Sequence, residues 1–247
     1  MTWTDIHSHI LPGFDDGASN DEEFLQMARM AAKGGTSLVA ATPHYDCDSR
    51  SFEPHEAAAA VEVYNGLLKA NGISLVLAHG MEVRVNAGLF ELAREGAGLE
   101  ELCLGSSKKY ILVDLPLADM PVAAPDILYQ VQLRGITPIL AHPERNRYLV
   151  EHPPALRDLV ERGIEVQVNA GSLAGIFGKQ ARNSARLLLK EGVARLVASD
   201  AHGTKGRNPD LSGAAKALAR LLGKEAPRLL LEINPGLALS GEIITRD

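Results

Sequence analysis

The sequence predicts a parallel α/β fold, with a barrel favoured over an open doubly wound sheet. Three observations point there: short apolar runs alternate with longer amphipathic stretches, seven strand-like runs follow in succession, and nearly every unusual polar cluster falls where such a run ends. The first two indicate strands buried on both faces and covered by helices. The third separates the two architectures, because barrels gather functional groups where strands end and βα loops begin.

The candidate strands are Trp3–His7, Ser37–Thr42, Ser74–His79, Tyr110–Leu115, Thr137–Ala141, Ile164–Val168 and Arg195–Ser199. Helix candidates lie between them at Asp21–Ala32, Pro54–Ala70, Ala124–Leu133, Pro154–Arg162, Leu173–Lys190 and Leu211–Leu222. Asn20-Asp21-Glu22-Glu23 reads as a cap with an acidic first turn, and Gly34-Gly35, Gly72, Gly135 and Gly163 stand where helices stop. A chain of 247 residues is long enough for one such barrel, so residues 1–247 are expected to form a single domain.

Composition narrows the function classes. The net charge of −6 argues against a nucleic-acid-binding surface, which carries a basic excess. No apolar run approaches the ~20 residues that span a bilayer, and Met1-Thr2-Trp3-Thr4-Asp5 has no secretory pattern. Two cysteines, Cys47 and Cys103, form no disulfide framework and no zinc ribbon. A cytoplasmic protein without membrane insertion is expected.

The chemistry lies at the strand ends. Asp5-Ile6-His7-Ser8-His9 follows the first strand, and alternation along an extended chain would turn His7 and His9 to one side. The Gly13-Phe14-Asp15-Asp16-Gly17 loop offers Asp16, whose alternative is an ordinary turn aspartate. Pro43 ends the second strand, so His44 is expected in the loop beyond it. Glu82 stands just past the third strand, and Asp114 lies inside the apolar run 110–115, where an unpaired carboxylate is costly. Ala141-His142-Pro143-Glu144-Arg145 and Ala198-Ser199-Asp200-Ala201-His202 complete the series, with Asn169 and Ser172 after the sixth strand. Five of the eight histidines fall directly after predicted strands; His55 and His152 read as surface residues and His79 as a strand-end side chain.

Imidazoles and carboxylates without thiolates suit manganese, iron or zinc. Nine candidates, His7, His9, Asp16, His44, Glu82, Asp114, His142, Asp200 and His202, exceed one tetrahedral ion and fit two or three. Arg145 and Arg207 can grip phosphate oxygens, although each has a simpler reading as an ion-pair partner or a solvated loop residue. An open cationic centre generates hydroxide near neutral pH, so phosphate-ester hydrolysis is the expected reaction.

The strings His7-Ser8-His9, Asp15-Asp16-Gly17, Thr42-Pro43-His44, Glu82, Ala141-His142-Pro143-Glu144-Arg145 and Ala198-Ser199-Asp200-Ala201-His202 resemble the PHP (polymerase and histidinol phosphatase) superfamily. More narrowly, the chain resembles the CpsB/CapC-type manganese-dependent protein-tyrosine phosphatases of capsule and exopolysaccharide synthesis, from Trp3 to about Pro235, with the opening Asp5–Gly17 the most specific part. The resemblance implies a distorted (β/α)7 TIM-like barrel and three divalent ions, most often Mn2+. One ion would take His7, His9, Glu82 and Asp200, a second Glu82, Asp114 and His142, and a third Asp16, His44 and His202. Arg145 and Arg207 would hold the substrate phosphate. Asp114 departs from the family's usual glutamate, and its shorter arm would shift or weaken the second ion. The implied substrate is a phosphotyrosine protein, in particular a bacterial tyrosine autokinase. Phenolate, with a pKa of about 10, leaves without a strong general acid; no lone acid stands ready in these motifs, Glu144 being the candidate for that part. A small-molecule phosphatase of the histidinol-phosphatase type, a nuclease and a non-catalytic metal-stabilised binding module are the competing readings.

Overall fold

The structure is a computed structural model, which describes residues 2–245. Among the described residues nine strands run β1 Trp3–Ser8, β2 Thr36–Ala41, β3 His44–Tyr45, β4 Val76–His79, β5 Glu82–Arg84, β6 Tyr110–Asp114, β7 Thr137–Ala141, β8 Glu165–Asn169 and β9 Leu196–Ala198. Two sheets result, β1-β2-β4 and β3-β5-β6-β7-β8-β9, with every pairing parallel.

These nine segments follow seven courses. β2 pairs with β4, and after the Thr42-Pro43 and Gly80-Met81 interruptions β3 pairs with β5. Proline has no N–H to give to a ladder, so the chain breaks there and resumes at His44. The ring then continues through β6 to β9. It returns to β1 through a parallel bridge between Ser8 and Ala201, where Asp200 N donates to His7 O (2.8 Å) and His9 N to Ala201 O (2.9 Å). This is the distorted seven-course barrel, closed at the end where the strands finish.

Two predicted positions shift as a result. His44 opens a short strand instead of lying in a loop, and Glu82 begins β5 instead of trailing the third strand. The predicted Leu173–Lys190 helix is two helices, Ala170–Ala174 and Gly178–Lys190, parted by a turn in which Gly175 and Gly178 have φ of 86° and 88°. A helix at Ala87–Glu95, capped by the Asn86 side chain, was not expected from the sequence.

Packing follows the strand period. Val39, Val83, Val113, Leu140, Val166 and Val197 belong to the large outer core beneath the helices. Their alternates Ala40, Leu112, Ile139, Leu196 and Ala198 fill the inside with Ala238 and Leu239 of helix Asn234–Ser240, which plugs the opposite end. Among the described residues no helix is long and apolar enough to cross a membrane.

Candidate metal centre

The mouth of the barrel draws its side chains from six of the seven courses. β1 contains one extra residue relative to β2 between Asp5 and Ser8, a bulge. Simple alternation would set His7 opposite Ile6; a bulge re-aims the residues it contains. His7 accordingly reaches Gln167 of β8 and Glu82 of β5. His142 and Asp200 have left-handed backbones, φ 37° and 52°, which non-glycine residues adopt at a cost and which often mark functional sites.

Glu82 is the hub. Its Oε1 lies 2.8 Å from His142 Nε2 and 3.3 Å from His7 Nε2, and its Oε2 lies 2.8 Å from His44 Nδ1 and 3.3 Å from His9 Nε2. Asp200 Oδ1 stands 3.4 Å from both His7 and His9 Nε2. Asp16 Oδ1 lies 3.3 Å from His202 Nε2 and 3.5 Å from His44 Nε2. Side chains of His7, His9, Glu82 and Asp200 are fully buried, whereas His44 is 41% and Asp16 68% exposed, so the cluster opens on the His44–Asp16 side.

Potential ligand atoms collect in three groups: His9, Asp16, His44 and His202; His7, Glu82 and His142; His7, His9 and Asp200. Together these contain eight of the nine predicted ligands. Asp114 is the exception. Although 5% exposed, its Oδ2 turns to Arg84 Nη1 at 3.1 Å. Burial, reinforced by nearby Glu82, pushes its carboxyl up to about 6. Its carboxylate belongs to none of the three groups.

The donor set fits cations. His7 Nδ1 donates to Gln167 Oε1 (2.9 Å), whose Nε2 is committed to Asn169. His9 Nδ1 donates to Asp15 (2.6 Å). Both imidazoles therefore turn Nε2 to the centre, where the two atoms lie only 3.2 Å apart. In the neutral rings these lone pairs would repel unless a cation or a proton lay between them. Burial lowers both imidazoles, but Glu82 and Asp200, with Asp15 at His9, more than reverse this and raise them. Glu82 Oε2 and His202 Nε2 are moreover buried, and their contacts with His44 Nδ1 and Asp16 Oδ1 are not aligned as hydrogen bonds.

Asp15, Gln167 and Asn169 were not singled out as orienting groups by the sequence. Asp15 also accepts from Gly17 N and His44 N; despite burial, its partners hold it at about 2. Asn169 Nδ2 donates to Asp200 Oδ2 at 2.6 Å. Gln167 and Asn169 had a legible signal, as amides inside an apolar strand. The two predicted phosphate-binding arginines both reach Asp200: Arg145 Nη1 at 2.8 Å, and Arg207 through Nη2 to the carboxylate and Nε to the carbonyl. Arg145 also rests on the Phe177 ring, 4.0 Å from its centroid. Glu144 is elsewhere engaged: 1% exposed, it accepts from Asn169 N and Ser172 Oγ and fastens helix Ala170–Ala174 to the preceding turn. His55 and His152 are exposed and His79 ends β4, as expected.

A family model described as capsular polysaccharide synthesis, CpsB/CapC, matches residues 3–240. Tyrosine-protein phosphatase YwqE of Bacillus subtilis (strain 168) is 38% identical over 242 residues, 98% of this chain and 93% of that protein. Tyrosine-protein phosphatase CpsB of Streptococcus pneumoniae is 24% identical over 245 residues, 97% of this chain and 99% of that protein. A chain from the crystal structures of YwqE from Bacillus subtilis and CpsB from Streptococcus pneumoniae, metal-dependent tyrosine phosphatases, superposes with a TM-score of 0.90 at 36% identity, covering 99% of this chain and 97% of that one. The phosphotriesterase homology protein from Escherichia coli, at 13% identity and a TM-score of 0.62, shares the fold over 96% of this chain.

Proposed function

Because this chain belongs to the CpsB/CapC family of capsular polysaccharide synthesis, we propose that the cluster at its barrel mouth is the catalytic centre of a metal-dependent tyrosine-protein phosphatase. One observation carries this reading: eight imidazole and carboxylate side chains from distant parts of the chain meet there with two arginines.

The eight side chains would hold three divalent ions, with Mn2+ the expected metal and iron or zinc served by the same donors. Glu82 turns one oxygen toward His7 and His142 and the other toward His44 and His9, and so would serve more than one of them. Such ions, when bound, supply Lewis acidity and an activated water. The chain's own contribution is to hold donors apart from solvent, to fix His7 and His9 as Nε2 ligands through Gln167 and Asp15, and to present guanidinium donors. Arg145 and Arg207 would exchange contacts with Asp200 for the non-bridging oxygens of the substrate phosphate. No general acid is assigned: Glu144 is turned away, and a phenolate leaves without one. On this reading residues 1–247 act as one domain, which the joining of β1 to the segment after β9 supports. The reading places the enzyme in the cytoplasm, where its two free cysteines stay reduced, acting on a tyrosine autokinase of polysaccharide export.

The test is manganese-dependent hydrolysis of a phosphotyrosine peptide, beside a phosphoserine peptide and histidinol phosphate, with elemental analysis of the purified protein. Turnover of the phosphotyrosine peptide alone is expected. Turnover of histidinol phosphate alone would transfer the site to small-molecule substrates, and no turnover with any divalent ion would leave a binding module.

A further inference from the structure

Helix Gly178–Lys190 begins beside the centre and carries no acidic residue. It buries Ala181, Ala185, Leu188 and Leu189, leaving Lys179, Arg182, Arg186 and Lys190 together on an adjacent stripe, as residues three, four and seven apart share a helical face. Elsewhere Arg94 pairs with Glu91, Arg157 with Glu191 and Arg162 with Asp158, while among the described residues Arg29 and Arg220 stand on their helices without an ion pair. Among the described residues no ion pair involves any of these four cations, nor exposed Arg147 across the cleft. In a chain of net charge −6 this unpaired row is a local excess with the opposite sign to the whole.

The row connects to the centre through the turn that splits the two helices. Phe177, between Gly175 and Gly178, supports the Arg145 guanidinium. Arg182 folds back against the same turn, its Cδ and Nη1 3.6 Å from where a Gly175 side chain would begin. A cavity of about 370 Å³ lies alongside, lined by Arg145, Arg147, Phe177, Gln180, Val150 and the buried Glu144, whose Oε1 accepts from Asn169 N and Ser172 Oγ. From Lys179 to Arg186 the helix rises about 10 Å, the span of about three extended residues.

We infer that this cleft and basic rim receive an acidic segment of the phosphoprotein flanking the phosphotyrosine. The inference rests on the phosphatase reading above. Arg145 faces the phosphate, the cavity takes the adjoining residues, and Arg147, Lys179 and Arg186 attract carboxylates beyond them. Charge complementarity of this kind acts through encounter and partner choice, is weakened by salt, and leaves chemistry at the centre unchanged.

The test uses the manganese-loaded full chain and the triple variant Arg147→Glu, Lys179→Glu, Arg186→Glu, three exposed positions outside the catalytic centre; Arg182 is kept because its Nε is buried. Substrates are a phosphotyrosine peptide flanked by glutamates, its glutamine counterpart, and p-nitrophenyl phosphate. Wild type should favour the glutamate peptide about tenfold in kcat/KM, through KM and only at low salt. The variant should lose that preference while p-nitrophenyl phosphate turnover stays within about twofold. Equal treatment of the two peptides by wild type, or a preference that survives charge reversal, overturns the inference alone. So does unchanged peptide kinetics with lost binding to phosphatidylglycerol vesicles or single-stranded DNA, which would assign the rim to another partner. Absence of all phosphotyrosine and aryl-phosphate hydrolysis by wild type removes the phosphatase reading and this inference with it.

Discussion

Asp15 holds His9 in a single tautomer. Its Oδ2 lies 2.6 Å from His9 Nδ1, and a carboxyl held at about 2 is ionised and can only accept. The proton is therefore on Nδ1, and Nε2 is left to face the cluster. Orienting partners of this kind typically govern metal affinity about 10- to 100-fold. Asp15→Asn should lose manganese affinity on that scale, with activity recovering in excess manganese. Titration calorimetry showing wild-type affinity would remove Asp15 from this part.

Arg145 bridges Asp200 and the Phe177 ring. Lysine keeps the charge but not the planar fork that grips phosphate and stacks on an aromatic face. Arg145→Lys should raise KM for an aryl phosphate about tenfold and weaken inhibition by inorganic phosphate, while bound metal stays constant. Loss of metal instead would show that Arg145 maintains the ligands.

Asp114 pairs with Arg84 and belongs to none of the three ligand groups. One more methylene would carry its carboxylate toward His142 and Glu82. Asp114→Glu should therefore tighten the most weakly held ion, read as metal retained after dialysis. Unaltered retention would mean that the short arm is no handicap.

A cysteine nucleophile must be a thiolate near neutral pH. Burial pushes Cys47 up to about 11 and Cys103 to about 12, so at pH 7 both are protonated and become thiolates only in strong alkali. Iodoacetamide at pH 7 should leave activity intact, while a chelator should abolish it. Inactivation by the alkylating reagent with metal still bound would contradict a purely metal-based site.

Gly17 packs against the first histidine pair: a Cβ there would stand 1.9 Å from His9 O. Neither backbone can withdraw freely, because Ala18 N donates to that same oxygen and Gly17 N donates to Asp15. Gly17→Ala should cost about 1–3 kcal/mol, within the range of overpacked positions, and should release metal from the His9, Asp16, His44 and His202 group first. Thermal melting with and without manganese measures both effects.

Much of this centre was legible because strands buried on both faces read as apolar runs, and their ends then stand out. His7, His9, His142, Asp200 and His202 were visible for that reason. Asp15 and Asp16 show why legibility stopped: two adjacent carboxylates are equivalent in sequence, yet one orients His9 from within and the other stands at the open rim. Asp114 and Gln167 are both polar residues inside apolar strands. One ends beside Arg84 and the other beneath His7, a difference set by neighbouring strands and by side-chain length.

By itself the sequence determined the seven strand courses, the placing of polar residues at their ends and the donor chemistry, because each depends on local period and residue type. The bulge that aims His7, the continuation of the ladder past Pro43 and Gly80, the ring closure from Ser8 to Ala201 and the exclusion of Asp114 were decided only in three dimensions. Each depends on register between segments far apart in the chain, and a shift of one residue reverses which face a side chain occupies.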